Sequence, residues 1–467
     1  MIWTRAMALR LLWSGWAASV SIVLLATILV EAVPHVRGIG FFPALRYAVI
    51  TPLCVLVTVA AAFLYRALAE RSGRPGPGPR PRPRATLAAV LFGLALSVLL
   101  GMIAVGVPGL AAAAFPAVLG VAIAVALLVP RFVDRPRRSR IGTVAIVIFG
   151  ALEIVGVAGA LSTERVVPPG PNGLAFEIPR TMFDVDHKFL TLPSGARVHY
   201  VDEGQGETLL FLHGNPSWSF QWRDLIRGLR GSYRCVALDY PGFGLSEAPA
   251  GFGFTAREES HVLEEFVDRL GLRDVTLVMQ DWGGPIGLGL AGRRPDLVRG
   301  VVLGSTWAWP SDTSVPRGKF SFIMGGPIGE FLQMNFNGFA VLGVKQGIVR
   351  TLPPDVADVY ARPFVPLAHR GIAAFYPGQI NAATDYFTEV EAGLPRLADK
   401  PALIFWALQD LGFDRSDLAR WEQAFPNHET IEFPNANHFF FEDEADRMIP
   451  AIRAFMPAHA SPAPGRS

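Results

Sequence analysis

Apolar residues come in unbroken runs up to Arg165 and in short, turn-bounded segments after about Met182. The runs cover about 11–33, 47–65, 86–107, 110–129 and 141–161, each near the ~20 residues that cross a hydrocarbon core as a helix. They lack the polar stripe of a helix buried in a soluble domain, and a cleaved leader would explain only the first. About five transmembrane helices are therefore expected over residues 1–165, then a linker over 166–181.

Past the linker the period changes. Lys188–Leu192 and Arg197–Val201, joined by Pro193-Ser194-Gly195, read as a hairpin. Thr208–Leu212, Cys235–Leu238, Val275–Met279, Val301–Leu303, Ala402–Phe405 and Thr430–Phe433 read as further strands, and Ala256–Leu270 as a helix. Strands alternating with helices predict an α/β domain: a mostly parallel sheet, helices on both faces, and a site at the strand C-termini. The core falls in two parts, 182–306 and 395–467. Between them, 307–394 is irregular and rich in Phe, Pro and Gly, as expected of a helical cap.

Charge sharpens this division. The formal net charge of +2 hides an N-terminal part dominated by arginine, without a lysine, and an acidic remainder. Arg5 and Arg10 precede the first run; Arg66, Arg71, Arg74, Arg80, Arg82 and Arg84 lie between the second and third. Arg131, Arg135, Arg137, Arg138 and Arg140 lie between the fourth and fifth, and the opposite loops are nearly uncharged. The positive-inside rule makes this an integral, multi-pass protein of the plasma membrane with a cytoplasmic N-terminus and its C-terminal domain outside. Glu153 sits in the fifth run at a cost of about 2.5–3.5 kcal/mol, met by protonation or a helix partner. Should that run stay out of the bilayer, the C-terminal domain faces the cytoplasm. Arginines alternating with apolar runs do not form the basic face of a nucleic-acid binder. Cys54 and Cys235 stand in apolar surroundings and predict no disulfide.

The candidate chemistry gathers at the expected strand ends. In Val278-Met279-Gln280-Asp281-Trp282-Gly283-Gly284 an aspartate occupies a sharp strand-to-helix turn, where hydrolase elbows expose their nucleophile. A carboxylate there can displace a leaving group from saturated carbon. Asp410 follows one strand and His438 another, so the chain order is nucleophile, acid, histidine; Asp414 and Asp417 lie close enough to Asp410 to compete. The loop His213-Gly214-Asn215-Pro216-Ser217-Trp218 lies upstream, with His213 placed to order it. Trp218, Trp222 and Trp307 read as packing. His261, His369 and His428 show no metal-ligand spacing, so neither metal nor cofactor is expected.

From about Pro179 to Phe455 the chain resembles the haloalkane dehalogenases of the α/β-hydrolase superfamily. The resemblance rests on His213-Gly214-Asn215-Pro216 with Trp218 and Phe220 behind it, on Gln280-Asp281-Trp282-Gly283-Gly284, and on Asn437-His438-Phe439 followed by Glu442-Asp443. It implies an α/β-hydrolase fold with Asp281 as nucleophile, His438 as base, Asp410 as acid, and Asn215 and Trp282 holding the departing halide. Met279 is bulkier than the residue usual two before the nucleophile, and the membrane half is unusual for the family. The chemistry is consistent: neutral N–H donors from Asn215 and Trp282 bind halide without blunting the carboxylate, and their backbone N–H groups suit the oxyanion of ester hydrolysis. The expected partners are a small apolar, halogenated substrate, water and the lipid bilayer. An epoxide hydrolase would use the same triad with cap tyrosines as proton donors, and Tyr360, Tyr376 and Tyr386 keep that reading open. A non-catalytic membrane protein that retains the fold is the other alternative. A serine esterase lacks its serine.

Overall fold

The structure, a computed structural model, describes residues 170–171, 174–311, 315–366 and 369–458. Its centre is one eight-stranded sheet in the order β1-β2-β4-β3-β5-β6-β7-β8. The strands are β1 Lys188–Thr191, β2 Arg197–Glu203, β3 Thr208–Leu212, β4 Arg234–Leu238, β5 Val275–Gln280, β6 Val298–Gly304, β7 Ala402–Ala407 and β8 His428–Phe433. Each strand expected from the short apolar segments is present, several longer by one to four residues and β1 shorter by one. β1 and β2 form the expected antiparallel hairpin, β2 pairs antiparallel with β4, and every later pairing is parallel.

β3, β5 and β7 are buried along their whole length, as parallel strands covered on both faces must be. Their period-2 alternation sorts side chains between two helical layers. Val278, Phe211 and Phe405 pack into a core with Leu225 of α1 (Arg223–Leu229) and Ile452 from the C-terminal helix. Met279 points the other way, towards α3 (Gly283–Arg293), which packs against α2 (Ala256–Arg269). A Cβ on Gly287 of α3 would meet Met279 Sδ at 2.8 Å, so a glycine makes the room that the bulky residue needs. Helix α2 is fixed by a capping box between Thr255 and Glu258.

Between β6 and β7 the chain leaves the sheet for α4 (Val315–Met324), α5 (Pro327–Phe336), α6 (Pro354–Ala361), α7 (Arg370–Ala382) and α8 (Thr384–Gly393). These lie within the stretch expected as cap. The buried Arg370 guanidinium donates to the carbonyls of Met334, Phe364 and Val365, which joins α7 to the chain around α5 and α6. Helices α9 (Arg415–Ala424) and α10 (Phe440–Ala458) complete the second part of the core.

Two expectations need comment. Leu174, Phe176 and Ile178 fall within the expected linker yet are buried in the core of the α/β domain, where Phe176 meets Trp218 edge-on at 5.7 Å. The folded unit therefore includes residues from Leu174 onward, and the expected linker shortens accordingly. The five apolar runs, Glu153 and the arginines of the N-terminal part lie outside the described residues. Among the described residues no helix is long and apolar enough to cross a membrane.

Candidate active site

Asp281 is the residue on which the local backbone converges. It follows β5 with φ 51°, a left-handed conformation that a non-glycine residue adopts only under constraint. The constraint comes from the exit of β6: Asp281 N donates to Ser305 O at 3.0 Å, and Thr306 Oγ1 donates to Asp281 O at 2.7 Å. The turn thus holds the carboxylate above the sheet. A Cβ on Gly214 would collide with this carboxylate, so the loop after β3 approaches only because glycine stands there.

That loop supplies Asn215. Its backbone N–H donates to Asp281 Oδ1 at 2.8 Å, and the Trp282 backbone N–H also serves the carboxylate. The Asn215 side-chain Nδ2 donates to Ala373 O of α7 at 3.3 Å, which aims the amide from the cap side. His213 orders the loop: its Nδ1 bonds Gly214 O at 2.9 Å, and its Nε2 accepts from Tyr240 N at 3.1 Å. Burial pushes the His213 pKa down to about 4 and leaves the ring neutral.

His438 comes from the loop after β8. Its Nδ1 lies 2.8 Å from Asp410 Oδ2, and its Nε2 lies 3.7 Å from Asp281 Oδ2. Phe413 stacks on the ring at 5.8 Å and Phe439 meets it edge-on at 5.0 Å. Burial opposes a charged His438, but the carboxylates of Asp410 and Asp281 outweigh it and push the pKa up to about 9. Burial likewise raises the Asp281 pKa, against the pull of His438 and the two backbone N–H donors. Of the three competing aspartates, only Asp410 meets the histidine. Asp414 caps α9, and Asp417 is buried against Arg317 and Trp309 Nε1.

Trp282 is buried with its ring edge-on to Trp307 at 4.9 Å and to Tyr376 at 4.8 Å. Trp218 and Trp222 pack in the core, whereas Trp307 packs against Trp282 and against Phe413, the ring stacked on His438. Sequence reasoning also left Gln280 without a task. Its Nε2 lies 3.0 Å from His438 Nε2 and 3.3 Å from His438 O, so it holds the imidazole on the nucleophile side. Its place directly before Asp281, on a fully buried strand, was the available signal. Glu442 and Asp443 brace the assembly. Glu442 pairs with the buried Arg223 and with Tyr360, while Asp443 accepts from the backbone N–H groups of Val349 and Arg350.

Two of the three cap tyrosines hold bonds away from the carboxylate. Tyr360 Oη donates to Glu442, and Tyr386 Oη donates to Pro285 O at 2.8 Å. Tyr376 meets the Trp282 ring edge-on at 4.8 Å, and its buried hydroxyl has no hydrogen-bond partner. His261 and His369 are exposed, and His428 Nδ1 bonds Phe425 O. Among the described residues no group of His, Cys, Asp or Glu is arranged to hold a metal ion.

Residues 207–445 match the family model for the alpha/beta hydrolase fold. The chain is 43% identical over 263 residues to haloalkane dehalogenase 2 of Mycobacterium tuberculosis, covering 56% of this chain and 91% of that protein. It is 33% identical over 275 residues to the cis-3-alkyl-4-alkyloxetan-2-one decarboxylase of Shewanella oneidensis, covering 56% of this chain and 86% of that one. Among solved structures, haloalkane dehalogenase DatA from Agrobacterium tumefaciens superposes with a TM-score of 0.54 at 26% identity, covering 61% of this chain and 100% of that one. The protein belongs to the haloalkane dehalogenase-like enzymes of the alpha/beta hydrolase fold family.

Proposed function

We propose that the protein is a membrane-anchored haloalkane dehalogenase that cleaves carbon–halogen bonds through an alkyl ester of Asp281. One observation carries this reading. Asp281 stands at a left-handed elbow with Oδ1 held by Asn215 N–H at 2.8 Å and Oδ2 facing His438 Nε2 at 3.7 Å. Oδ1 is tied to the Asn215 backbone N–H, so Oδ2 attacks the carbon. The new C–O bond forms as the carbon–halogen bond breaks, and the halide leaves with the bonding pair. The Trp282 indole N–H and the Asn215 amide receive the charge that develops on it.

Alkylation changes His438. The ester carries no negative charge, so one of the influences that raise the histidine's pKa towards 9 disappears. The imidazole sheds its proton and becomes the base for a water that attacks Asp281 Cγ. Asn215 and Trp282 backbone N–H groups steady the resulting oxyanion, a contribution of about 10²–10³ in rate per donor. Asp410 holds the ring and offsets the imidazolium charge. The C–O bond to the alkyl group is retained, so the alcohol departs with an Asp281 oxygen and the water oxygen stays on the carboxylate.

Epoxide opening would need a hydroxyl donor from the cap. Tyr360 and Tyr386 are engaged elsewhere, which leaves Tyr376, packed edge-on against Trp282 with its buried hydroxyl unpartnered, as the one candidate among the three. Asn215 beside the nucleophile favours a halogenated substrate, because epoxide opening has no use for a second halide donor there. Aromatic side chains line the site, which favours an apolar one. Residues 1–165 would hold the enzyme in the plasma membrane, N-terminus in the cytoplasm and catalytic domain outside; a C-terminal reporter active only in the cytoplasm should stay dark.

The test is the purified full-length chain on matched haloalkane, epoxide and cis-dialkyl oxetan-2-one substrates. Halide release with alcohol formation supports the proposal. Diol without halide release, or carbon dioxide and an alkene from the oxetanone alone, would replace it with the corresponding alternative.

A further inference from the structure

The outer surface of the cap carries large apolar side chains that water should not be left to cover. On α4, Phe320, Phe322 and Ile323 are exposed, Phe322 by 80%. On α5, which packs against α4, Ile328 and Leu332 are exposed one helical turn apart and so share a face. Val341, Leu342 and Val349 are exposed in the segment that follows. Leu411, next to Asp410 at the end of β7, is 89% exposed. Scattered apolar residues on a surface are ordinary, but eight exposed within residues 320–349 mark an interaction site.

Charge narrows the occupant. From Val315 to Arg350 the chain carries four cations and one acid, Glu330; Arg317 is buried against Asp417 and Arg350 pairs with Glu442, which leaves the two lysines for the surface. Lys319 and Lys345 are exposed among the apolar side chains. Aromatic and aliphatic groups flanked by lysines are the pattern of a surface that sinks shallowly into anionic lipid. The chain's own attachment agrees. Leu174 and Phe176 enter the core alongside Ile348, Leu352 and Val359 of the cap region, and Arg362 at the end of α6 donates to Glu177 O. From the last apolar run to Leu174 there are about a dozen residues, which reach roughly 40 Å when fully extended.

We propose that the outer face of the cap, centred on Phe322 and Ile328, docks onto the surface of an anionic lipid bilayer. This rests on the reading of the chain as a membrane-anchored hydrolase. Docking would place the cap where apolar substrates concentrate, so substrate reaches the site from lipid rather than from bulk water.

The experiment uses the full-length chain in vesicles of phosphatidylcholine and phosphatidylglycerol. An environment-sensitive fluorophore is attached at Phe322→Cys, Ile328→Cys or, as control, Arg269→Cys, all in a Cys54→Ser background. Cys235 is fully buried and burial pushes its thiol up to about 12, so it escapes labelling. Arg269 is exposed at the end of α2, near the start of β5 and far from the strand ends below the cap. The proposal predicts quenching by lipid-borne spin labels at 322 and 328 but not at 269. No quenching at 322 and 328 overturns it. A blue shift there without lipid quenching also overturns it, since protein then covers the patch, whether a second copy or another segment of this chain. These readouts need no turnover, so they stand apart from the assignment of the reaction. In a second arm, Phe322→Ser with Ile328→Ser should raise the apparent KM for a vesicle-partitioned substrate roughly tenfold, the scale of one large apolar side chain leaving an apolar environment. The value for a water-soluble substrate should not change. Equal change for both substrates would contradict lipid delivery.

Discussion

Two aspartate–histidine pairs stand in this domain with nearly the same geometry and different surroundings. Asp410 Oδ2 lies 2.8 Å from His438 Nδ1, and Asp239 Oδ2 lies 2.7 Å from His199 Nδ1. The remaining nitrogen of His438 faces Asp281 and Gln280 at the strand ends. That of His199 faces His187 Nδ1 at 2.9 Å, away from any nucleophile. Asp239 also accepts from the backbone N–H groups of Ser219 and Leu245, so it ties together the loops after β3 and β4. Burial and then His199 push His187 down to about 4, and it stays neutral at physiological pH. A carboxylate orients an imidazole in both places. What the second nitrogen meets decides whether that orientation becomes chemistry or architecture.

The contrast breaks most sharply at the nucleophile. Asp281→Asn or Asp281→Ala should lower turnover by about 10⁴-fold or more, as loss of a nucleophile does elsewhere. Steady-state halide release measures this, and substantial residual activity in well-folded protein would remove Asp281 from its role. His438→Gln should come next. It leaves displacement possible and blocks ester hydrolysis, so intact mass spectrometry should find an alkyl adduct on Asp281 after substrate exposure. Loss of turnover with no adduct would contradict the division of labour between the two residues.

The same pair dictates a pH dependence with a definite sign. His438 must be neutral to act, and its proton is held up to about pH 9 in the free enzyme. Removing the Asp281 charge by alkylation lowers that limit, so the hydrolysis rate should rise with pH through a midpoint below 9. The alkylation rate should fall in acid, starting above the usual carboxylate range because burial raises Asp281. Single-turnover rates across pH separate the steps. A hydrolysis rate independent of pH would contradict His438 as the base.

Trp282→Phe and Asn215→Ala should weaken halide inhibition and slow carbon–halogen cleavage by about 10²-fold. Unchanged halide binding in both would move the halide site elsewhere. At the second pair the effect should be on folding. Asp239→Ala strands His199 and two buried N–H donors, so it should cost about 3 kcal/mol or more by denaturant titration. The activity of the folded fraction should be largely kept. His187→Ala, at the half-exposed end, should change both stability and activity least of all.

The sequence made the sheet legible because short apolar segments bounded by turn formers leave few other readings: all eight strands lie where that pattern puts them. The triad positions were legible for the same reason, since residues directly after such strands collect at one edge. Asp410 could be separated from Asp414 and Asp417 only in three dimensions, where Asp414 is spent on a helix cap and Asp417 on Arg317. Gln280 escaped because its part depends on a contact between distant segments, from β5 to the loop after β8. Tyr360 illustrates the converse: a tyrosine in the cap suggests a proton donor until its bond to Glu442 is known. The cap helices carried too little periodicity for their boundaries to be read, and Leu174 to Ile178 looked like linker because three buried positions make no periodic signal.

Isotope labelling of a single turnover tests the ester on Asp281 most directly. Full-length enzyme in excess over a haloalkane is reacted in water enriched in oxygen-18, and both the alcohol and the Asp281 peptide are weighed. The ester mechanism predicts an unlabelled alcohol from the first turnover and one heavy oxygen in the Asp281 carboxylate. A labelled alcohol with an unlabelled Asp281 would mean that water attacks the substrate carbon directly, and Asp281 would then be no nucleophile.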